Sequence, residues 1–322
     1  MTSPIALLLP GQGAQYPGMA LELYGVEEVF TAAMDEFFEL MGAVGTELRA
    51  DWLSDQPVVP LDDASRAQPL LFAIGHALGR TLMANGSTPS VLIGHSVGEL
   101  AAAALAGVFD PPGAAQVILA RYEAMATAPR GGLLAASAAA SEVERHLDAR
   151  GHDEGVGIAA VNAPNLTVVS GTEAGLARVR ETLSANGIGS MRVGSRQPFH
   201  CPAVAAAAEK FEAGFAGVTL RPPRIPIIST RTASPVTPEQ AMTPEFWARQ
   251  LDAPVLFWPA VDSLLTSGSY TVVEAGPGKG LSMLAKKHPA VRARRSSVYS
   301  LSPSRASGTL TAWRAGLDQL NS

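Results

Sequence analysis

Seven residues, Ile93-Gly94-His95-Ser96-Val97-Gly98-Glu99, constrain this chain more than any other stretch. The apolar run Val91-Leu92-Ile93 suits a buried strand, and Glu99-Leu100-Ala101-Ala102-Ala103-Ala104-Leu105-Ala106 is a strong helix former. Ser96 therefore falls in a strand-to-helix turn with a glycine two residues to either side. A serine on so sharp a turn has a strained backbone, and Gly94 and Gly98 remove side chains that would collide across it. The helix N-terminus brings unpaired N–H groups and a positive dipole end to any oxyanion formed beside Ser96. The pattern is that of a nucleophile elbow.

Composition narrows the function classes. At 322 residues, 47% of them hydrophobic, the chain can bury the core of one large domain or two. A charged fraction of 16% and a net charge of −5 argue against disorder and against a general nucleic-acid binder. Cys201 is the single cysteine, so there is no internal disulfide, and no Cys/His cluster has zinc spacing; no metal is expected, and a reducing, cytoplasmic setting fits. The run Ile5 to Leu9 has no leading positive charges and is too short to span a membrane, so it reads as a first buried strand and no membrane partner is expected. Nothing in the sequence demands more than a monomer.

That first strand ends in Pro10-Gly11-Gln12-Gly13-Ala14-Gln15, whose glycines permit a tight loop with exposed N–H groups, suited to a phosphate or to an oxyanion. A dinucleotide fingerprint fails because Tyr16 stands where the third glycine belongs, and a P-loop fails because no Gly-Lys-Ser/Thr follows. Gln68 to Leu78 has apolar residues at helical spacing with Pro69 near its start, and His76 within it reads as structural. A helix over about 113–127 carries Arg121, which by residue type alone reads as solvated or paired at the surface.

From 131 to 194 the order is strand, helix, strand, strand, helix, strand, with Ser141-Glu142-Val143-Glu144 as a capping box opening the first helix. That is the ferredoxin-like pattern. The expected fold is therefore α/β: an α/β-hydrolase-like catalytic subdomain with a parallel sheet from residues 1–130 and 195–322, and an inserted ferredoxin-like subdomain from 131–194. Pro198 and Pro202 hold His200 in a constrained loop at the junction of the two, where clefts form. Between Ala275 and Leu317 there is no Asp or Glu, but there are cations including Lys279, Lys286, Lys287, Arg292, Arg294 and Arg295. This asymmetry suits a partner of negative charge or a solvated basic face equally.

Taken in order, Pro10-Gly11-Gln12-Gly13-Ala14-Gln15, Gln68-Pro69, Gly94-His95-Ser96-Val97-Gly98-Glu99, Arg121, Val161-Asn162-Ala163-Pro164-Asn165, Phe199-His200, Gln250-Leu251 and Glu274-Ala275-Gly276-Pro277-Gly278-Lys279 resemble the malonyl-CoA:acyl carrier protein transacylase family, which includes acyltransferase domains of polyketide synthases. The resemblance spans nearly the whole chain. It implies Ser96 as nucleophile, His200 as general base, and the backbone N–H groups of Gln12 and Val97 as the oxyanion hole. Gln250 matches the position that orients the histidine through an amide or carbonyl instead of a carboxylate. Arg121 matches the arginine that holds the free carboxylate of malonyl, which displaces the surface reading. Gln68 and Asn162 fall at substrate-binding positions, and Phe199 matches the bulky residue that crowds a 2-methyl branch in malonyl-selective relatives. Arg196-Gln197-Pro198 and Thr230 depart from the family's usual residues.

The implied reaction is ping-pong: malonyl-CoA acylates Ser96, CoA leaves, and the phosphopantetheine thiol of an acyl carrier protein collects the acyl group. No bound cofactor is implied; acyl-CoA and the carrier protein are substrates. Carrier proteins are generally acidic, which makes Lys286, Lys287, Arg292, Arg294 and Arg295 candidate carrier contacts. The departures leave room for a discrete enzyme of a specialised pathway that moves another acyl or aminoacyl group between carrier proteins. A serine thioesterase or acyl hydrolase also fits the elbow, but it wants an acid between nucleophile and histidine in chain order and has little use for a buried arginine.

Overall fold

A computed structural model describes residues 3–147, 155–303, 305 and 307–321. Its strands are, in chain order, β1 (Ile5–Leu9), β2 (Val91–Gly94), β3 (Gly132–Ala136), β4 (Gly157–Ala163), β5 (Leu166–Gly171), β6 (Ser190–Val193), β7 (Ile227–Ser229), β8 (Ser234–Pro235), β9 (Thr271–Glu274) and β10 (Ser297–Ser300). The first five helices are α1 (Glu28–Leu40), α2 (Gly42–Leu53), α3 (Ala64–Ala84), α4 (Val97–Leu105) and α5 (Pro111–Met125).

Six strands form the larger sheet in the order β10-β9-β1-β2-β7-β8, parallel except for the short β7–β8 pair. Alternate residues of each strand go to opposite faces, and both faces are covered, as a parallel sheet requires. Leu7, Leu9, Leu92 and Val273 join a core with α1, α3, α4 and α5, whereas Ala6, Leu8, Ile93 and Val272 pack with the helix Phe257–Ser267. The other sheet is antiparallel in the order β4-β5-β3-β6, all of it drawn from residues 132–193, which is the ferredoxin-like topology. It closes on its own small core around Leu134, Val143, Val169, Leu176 and Leu183. The edge strand β4 is capped by the larger subdomain, because Val255 accepts from the Val161 amide at 2.9 Å and donates to the Ala159 carbonyl at 2.8 Å.

Two helix starts differ from the sequence expectation. Helix α3 begins a full turn earlier than Gln68-Pro69, because Asp63 caps it by accepting from the Ser65 amide at 2.9 Å. Pro69 is thus an interior proline, which deprives the Ser65 carbonyl of its helical donor. The helix Ala140–Glu144 starts from Ala139 with no side-chain cap, so Ser141 lies inside its first turn and forms no capping box. Residues 148–154 of the expected small subdomain lie outside the described residues. The strand β10 and the C-terminal helix Thr309–Asn321 complete the larger subdomain; Leu310, Trp313, Leu317 and Leu320 recur at helical spacing along that helix and pack it on the main core. Among the described residues no helix is long and apolar enough to cross a membrane.

Candidate active site

Ser96 follows β2 and precedes α4 with φ 55° and ψ −123°, a region that costs a non-glycine residue about 1–3 kcal/mol and persists only where its surroundings over-determine it. The surroundings do. A Cβ on Gly94 would lie 2.1 Å from the Glu99 amide nitrogen, across the turn, and one on Gly98 would lie 2.1 Å from the Leu9 carbonyl of β1. The second glycine thus serves the neighbouring strand more than the turn itself. Gly11 is equally confined, 2.4 Å from the His95 carbonyl and 3.1 Å from the Ser96 Cβ by the same construction, so the loop after β1 is pressed onto the elbow.

His200 comes from the other end of the chain and also has positive φ, 63°. Its Nε2 is 2.8 Å from the Ser96 Oγ, and its Nδ1 is 3.0 Å from the Gln250 carbonyl and 3.1 Å from the Ala253 carbonyl. Carbonyls only accept, so Nδ1 carries the proton and Nε2 presents its lone pair to the serine hydroxyl. Gln250 orients the histidine, then, through its main chain and not its side-chain amide. Burial lowers the His200 pKa to about 3, with the Arg121 and His95 charges pushing the same way. The free imidazole is a neutral base.

Arg121 is 1% exposed, against the surface expectation from residue type. Its Nε donates to Gln68 Oε1 at 2.8 Å and its guanidinium lies 5.7 Å over the Phe211 ring, while among the described residues Nη1 and Nη2 find no hydrogen-bond partner. Burial alone lowers its pKa to about 10, which leaves it a cation at neutral pH. It lines a cavity of about 220 Å³ with Gln68, Val97, Ile118, Met125 and Gln197, and Ser65 is on the same wall. Gln197, one of the departures from family pattern, holds a place on this wall that the sequence did not signal, since a loop residue before Pro198 has no period to read. Phe199 does not line this cavity. It is buried in the main core, its ring 6.3 Å from that of His200, because the constrained loop turns it inward and leaves the wall to Gln197.

The loop after β1 and the start of α4 flank the serine. Val97 opens α4, and among the described residues neither its amide nor that of Gln12 has a hydrogen-bond partner. Asn162 bonds His95, whose Nε2 donates to its Oδ1 at 2.9 Å, and both residues line a second cavity of about 520 Å³ with Gln12, Glu274 and Lys279. The buried Glu274 carboxylate accepts from the Leu281 and Ser282 amides, at 3.1 and 2.7 Å, and a Cβ on Gly276 would lie 2.3 Å from Pro10. The stretch from Glu274 to Lys279 is thus a brace for the loop after β1. Thr230 braces the elbow in the same manner, with its hydroxyl 2.8 Å from the Gly94 carbonyl and 2.6 Å from Glu99 Oε2. The Thr230 amide also donates to Glu99 Oε2, at 2.9 Å; burial raises the Glu99 pKa and these contacts oppose the rise.

The basic stretch is not one face of this site. Lys279 lines the cavity beside the loop after β1, but Arg292, Arg294 and Arg295 are exposed just before β10, which runs parallel to β1 and β2. They lie at the N-terminal end of the sheet, whereas Ser96 sits beyond the C-terminal end of β2. Lys286 and Lys287 fall between, after the helix Gly280–Ala285. A segment that returns from one strand to the next parallel strand must cross the height of the sheet, so continuity in sequence places its charges at opposite ends. Arg192 and Arg196 also lie near the site, lining a cavity of about 620 Å³ that shares Asp63, Ala64 and Gln197 with the Arg121 cavity.

A serine on a strained elbow, a histidine held by main-chain carbonyls and a small antiparallel subdomain over a parallel sheet define the acyltransferase class of α/β fold. The chain belongs to the acyl transferase domain family, whose model matches residues 7–304. It is 35% identical over 288 residues to the spectinabilin polyketide synthase system protein NorB of Streptomyces orinoci, a match that takes in 88% of this chain but only 13% of that much longer protein. It superposes with a TM-score of 0.88 on the acyltransferase domain from the second module of the salinomycin polyketide synthase, at 31% identity over 98% of this chain and 72% of the other. A malonyl-CoA:acyl carrier protein transacylase from Xanthomonas oryzae gives 0.87 at 28% identity, over 99% of both chains.

Proposed function

We propose that this protein transfers a carboxylated acyl group, malonyl foremost, from coenzyme A to the phosphopantetheine thiol of an acyl carrier protein through an acyl ester on Ser96. The observation that carries this reading is Arg121, a buried cation with two terminal nitrogens uncommitted, in a cavity bounded by the residue after the nucleophile. Two parallel N–H donors suit the two oxygens of a carboxylate. Ser96 Oγ attacks the thioester carbonyl while His200 Nε2 takes its proton; the Gln12 and Val97 amides receive the oxyanion; collapse expels the CoA thiolate, which His200 protonates. The carrier thiol then gives its proton to His200, attacks the ester, and leaves with the acyl group as Ser96 recovers its proton.

Intact mass spectrometry after brief exposure to malonyl-, methylmalonyl- and acetyl-CoA tests this. A malonyl adduct is expected on the wild type and none on Ser96→Ala. Absence of any adduct from the three refutes the CoA-donor reading. A second reading, transfer of a bulkier acyl group between carrier proteins, is favoured by the residues shared between the Arg121 cavity and the larger cavity beside it. An acyl adduct acquired only from a loaded carrier would select it.

A further inference from the structure

We propose that Gln68 is a positioning residue that fixes the oxyanion loop from the acyl clamp, a role that rests on the acyl-transfer reading above. Arg121 Nε donates to Gln68 Oε1 at 2.8 Å, and Gln68 Nε2 donates to Gln12 Oε1 at 2.9 Å. The direction of this chain is forced. A guanidinium has donors only, so Gln68 must turn its oxygen to Arg121, and its amide nitrogen is then the group that faces Gln12, whose oxygen must accept. Gln68 is 5% exposed and Arg121 1%, so water does not supply substitutes for these partners.

Gln12 belongs to the loop whose amide faces the oxyanion, and besides the packing of Gly276 on Pro10 that loop is held in two further ways. Gly11 packs against His95 and Ser96 on one side. On the exposed side Gln15 closes the turn, accepting from the Gly13 amide at 2.7 Å and donating to Asp62 at 3.1 Å. Asp62 lies just before the α3 cap and Gln68 in the second turn of α3, so the loop is tied to this one region at an exposed point and at a buried point. Only the buried tie continues to the arginine. The group that recognises the acyl chain and the group that receives its developing charge therefore share one oriented side chain.

The test is a double-mutant cycle of Gln12→Met and Gln68→Met, read as the rate of Ser96 acylation by malonyl-CoA over a range of concentrations, with a fluorophosphonate probe run in parallel. The probe needs the serine, histidine and oxyanion hole but no carboxylate clamp. Each single substitution is expected to lower the limiting rate about tenfold with a smaller change in KM, and the double variant to be no slower than the slower single, because both break one contact. Effects that multiply, or that fall wholly in KM, overturn the proposal. If Gln68→Met fails to fold, the half-buried Gln12→Met breaks the same contact, and a wild-type limiting rate in that variant overturns it. A wild type that reacts with the probe but not with malonyl-CoA refutes the donor reading, and the probe cycle then decides the positioning role by the same outcomes.

Discussion

Replacing Arg121 by methionine should separate recognition from stability. On the acyl-transfer reading the substitution removes two hydrogen bonds to a charged group, each worth about 1.5–2 kcal/mol net, so malonyl acylation of Ser96 should fall about 10²–10³-fold. The fold should not suffer in proportion. Arg121 is a desolvated cation with no carboxylate beside it, compensated by one bond to Gln68 and by the Phe211 ring, the latter worth about 0.5–2 kcal/mol. Methionine keeps most of the volume, removes the buried charge, and leaves Gln68 Oε1 unpaired at a cost of about 1–3 kcal/mol. A melting temperature within about 4 °C of wild type is therefore expected, together with a shift of acyl preference from malonyl toward acetyl. Intact mass spectrometry and thermal denaturation measure both. Malonyl acylation within tenfold of wild type would refute the assignment of Nη1 and Nη2 to a carboxylate.

Acid sensitivity comes in part from the half-buried His76 and the buried His200. Burial lowers His76 to about 4 and His200 to about 3, so between about pH 6.5 and 4 the unfolded chain binds protons that the folded one does not, and stability falls with falling pH by about 1.4 kcal/mol per unit for each. His76→Phe, which keeps a ring beside Phe72, should lower the slope by about 1.4 kcal/mol per pH unit in urea titrations at pH 7, 6 and 5; an unaltered slope would mean that His76 is already charged. Because a main-chain carbonyl holds His200, Gln250→Met should retain Ser96 acylation within about fivefold. Charge reversal at Arg294 and Arg295 should leave transfer to a carrier protein within twofold, while Arg196→Glu should weaken it in a salt-dependent way; the opposite ranking would place the carrier at the far end of the sheet.

Much of the site was legible because its motifs are local. Gly94, Ser96 and Gly98 announce a turn whose sterics are independent of the rest of the chain, and Pro198 and Pro202 announce the constraint on His200. What the sequence could not carry was direction across space. Arg121 lies on a helix with no strong apolar stripe, so nothing local distinguishes a buried guanidinium from a solvated one; its environment is made by Gln68 and Phe211, 53 residues before it and well after it in the chain. The place of Phe199 relative to the Arg121 cavity was not legible for the converse reason, since being next to His200 in sequence says nothing about which way a tight loop turns. The spread of the basic stretch over the height of the sheet was likewise not legible, because linear charge density carries no direction across space. The pairing of Thr230 with Glu99 has one local sign, a carboxylate in the first turn of an otherwise apolar helix, which must find a partner where it is buried.

Two properties of the free site are unfavourable, and both have the same remedy. Arg121 is a cation in a desolvated place with its terminal nitrogens unpaired, and His200 is a weak base in part because that cation stands near it. An anion on the guanidinium supplies the missing partner and cancels the charge that opposes formation of the imidazolium. On the proposed reading the substrate carboxylate is therefore more than a handle: it strengthens the base that deprotonates Ser96 as it fixes the acyl group for attack. Acyl groups that lack it meet a weaker base in the same geometry, so discrimination between malonyl and acetyl should appear in the acylation rate constant at saturating thioester and not only in binding. Equal rate constants at saturation, with selectivity confined to KM, would mean that Arg121 binds the carboxylate without acting on His200.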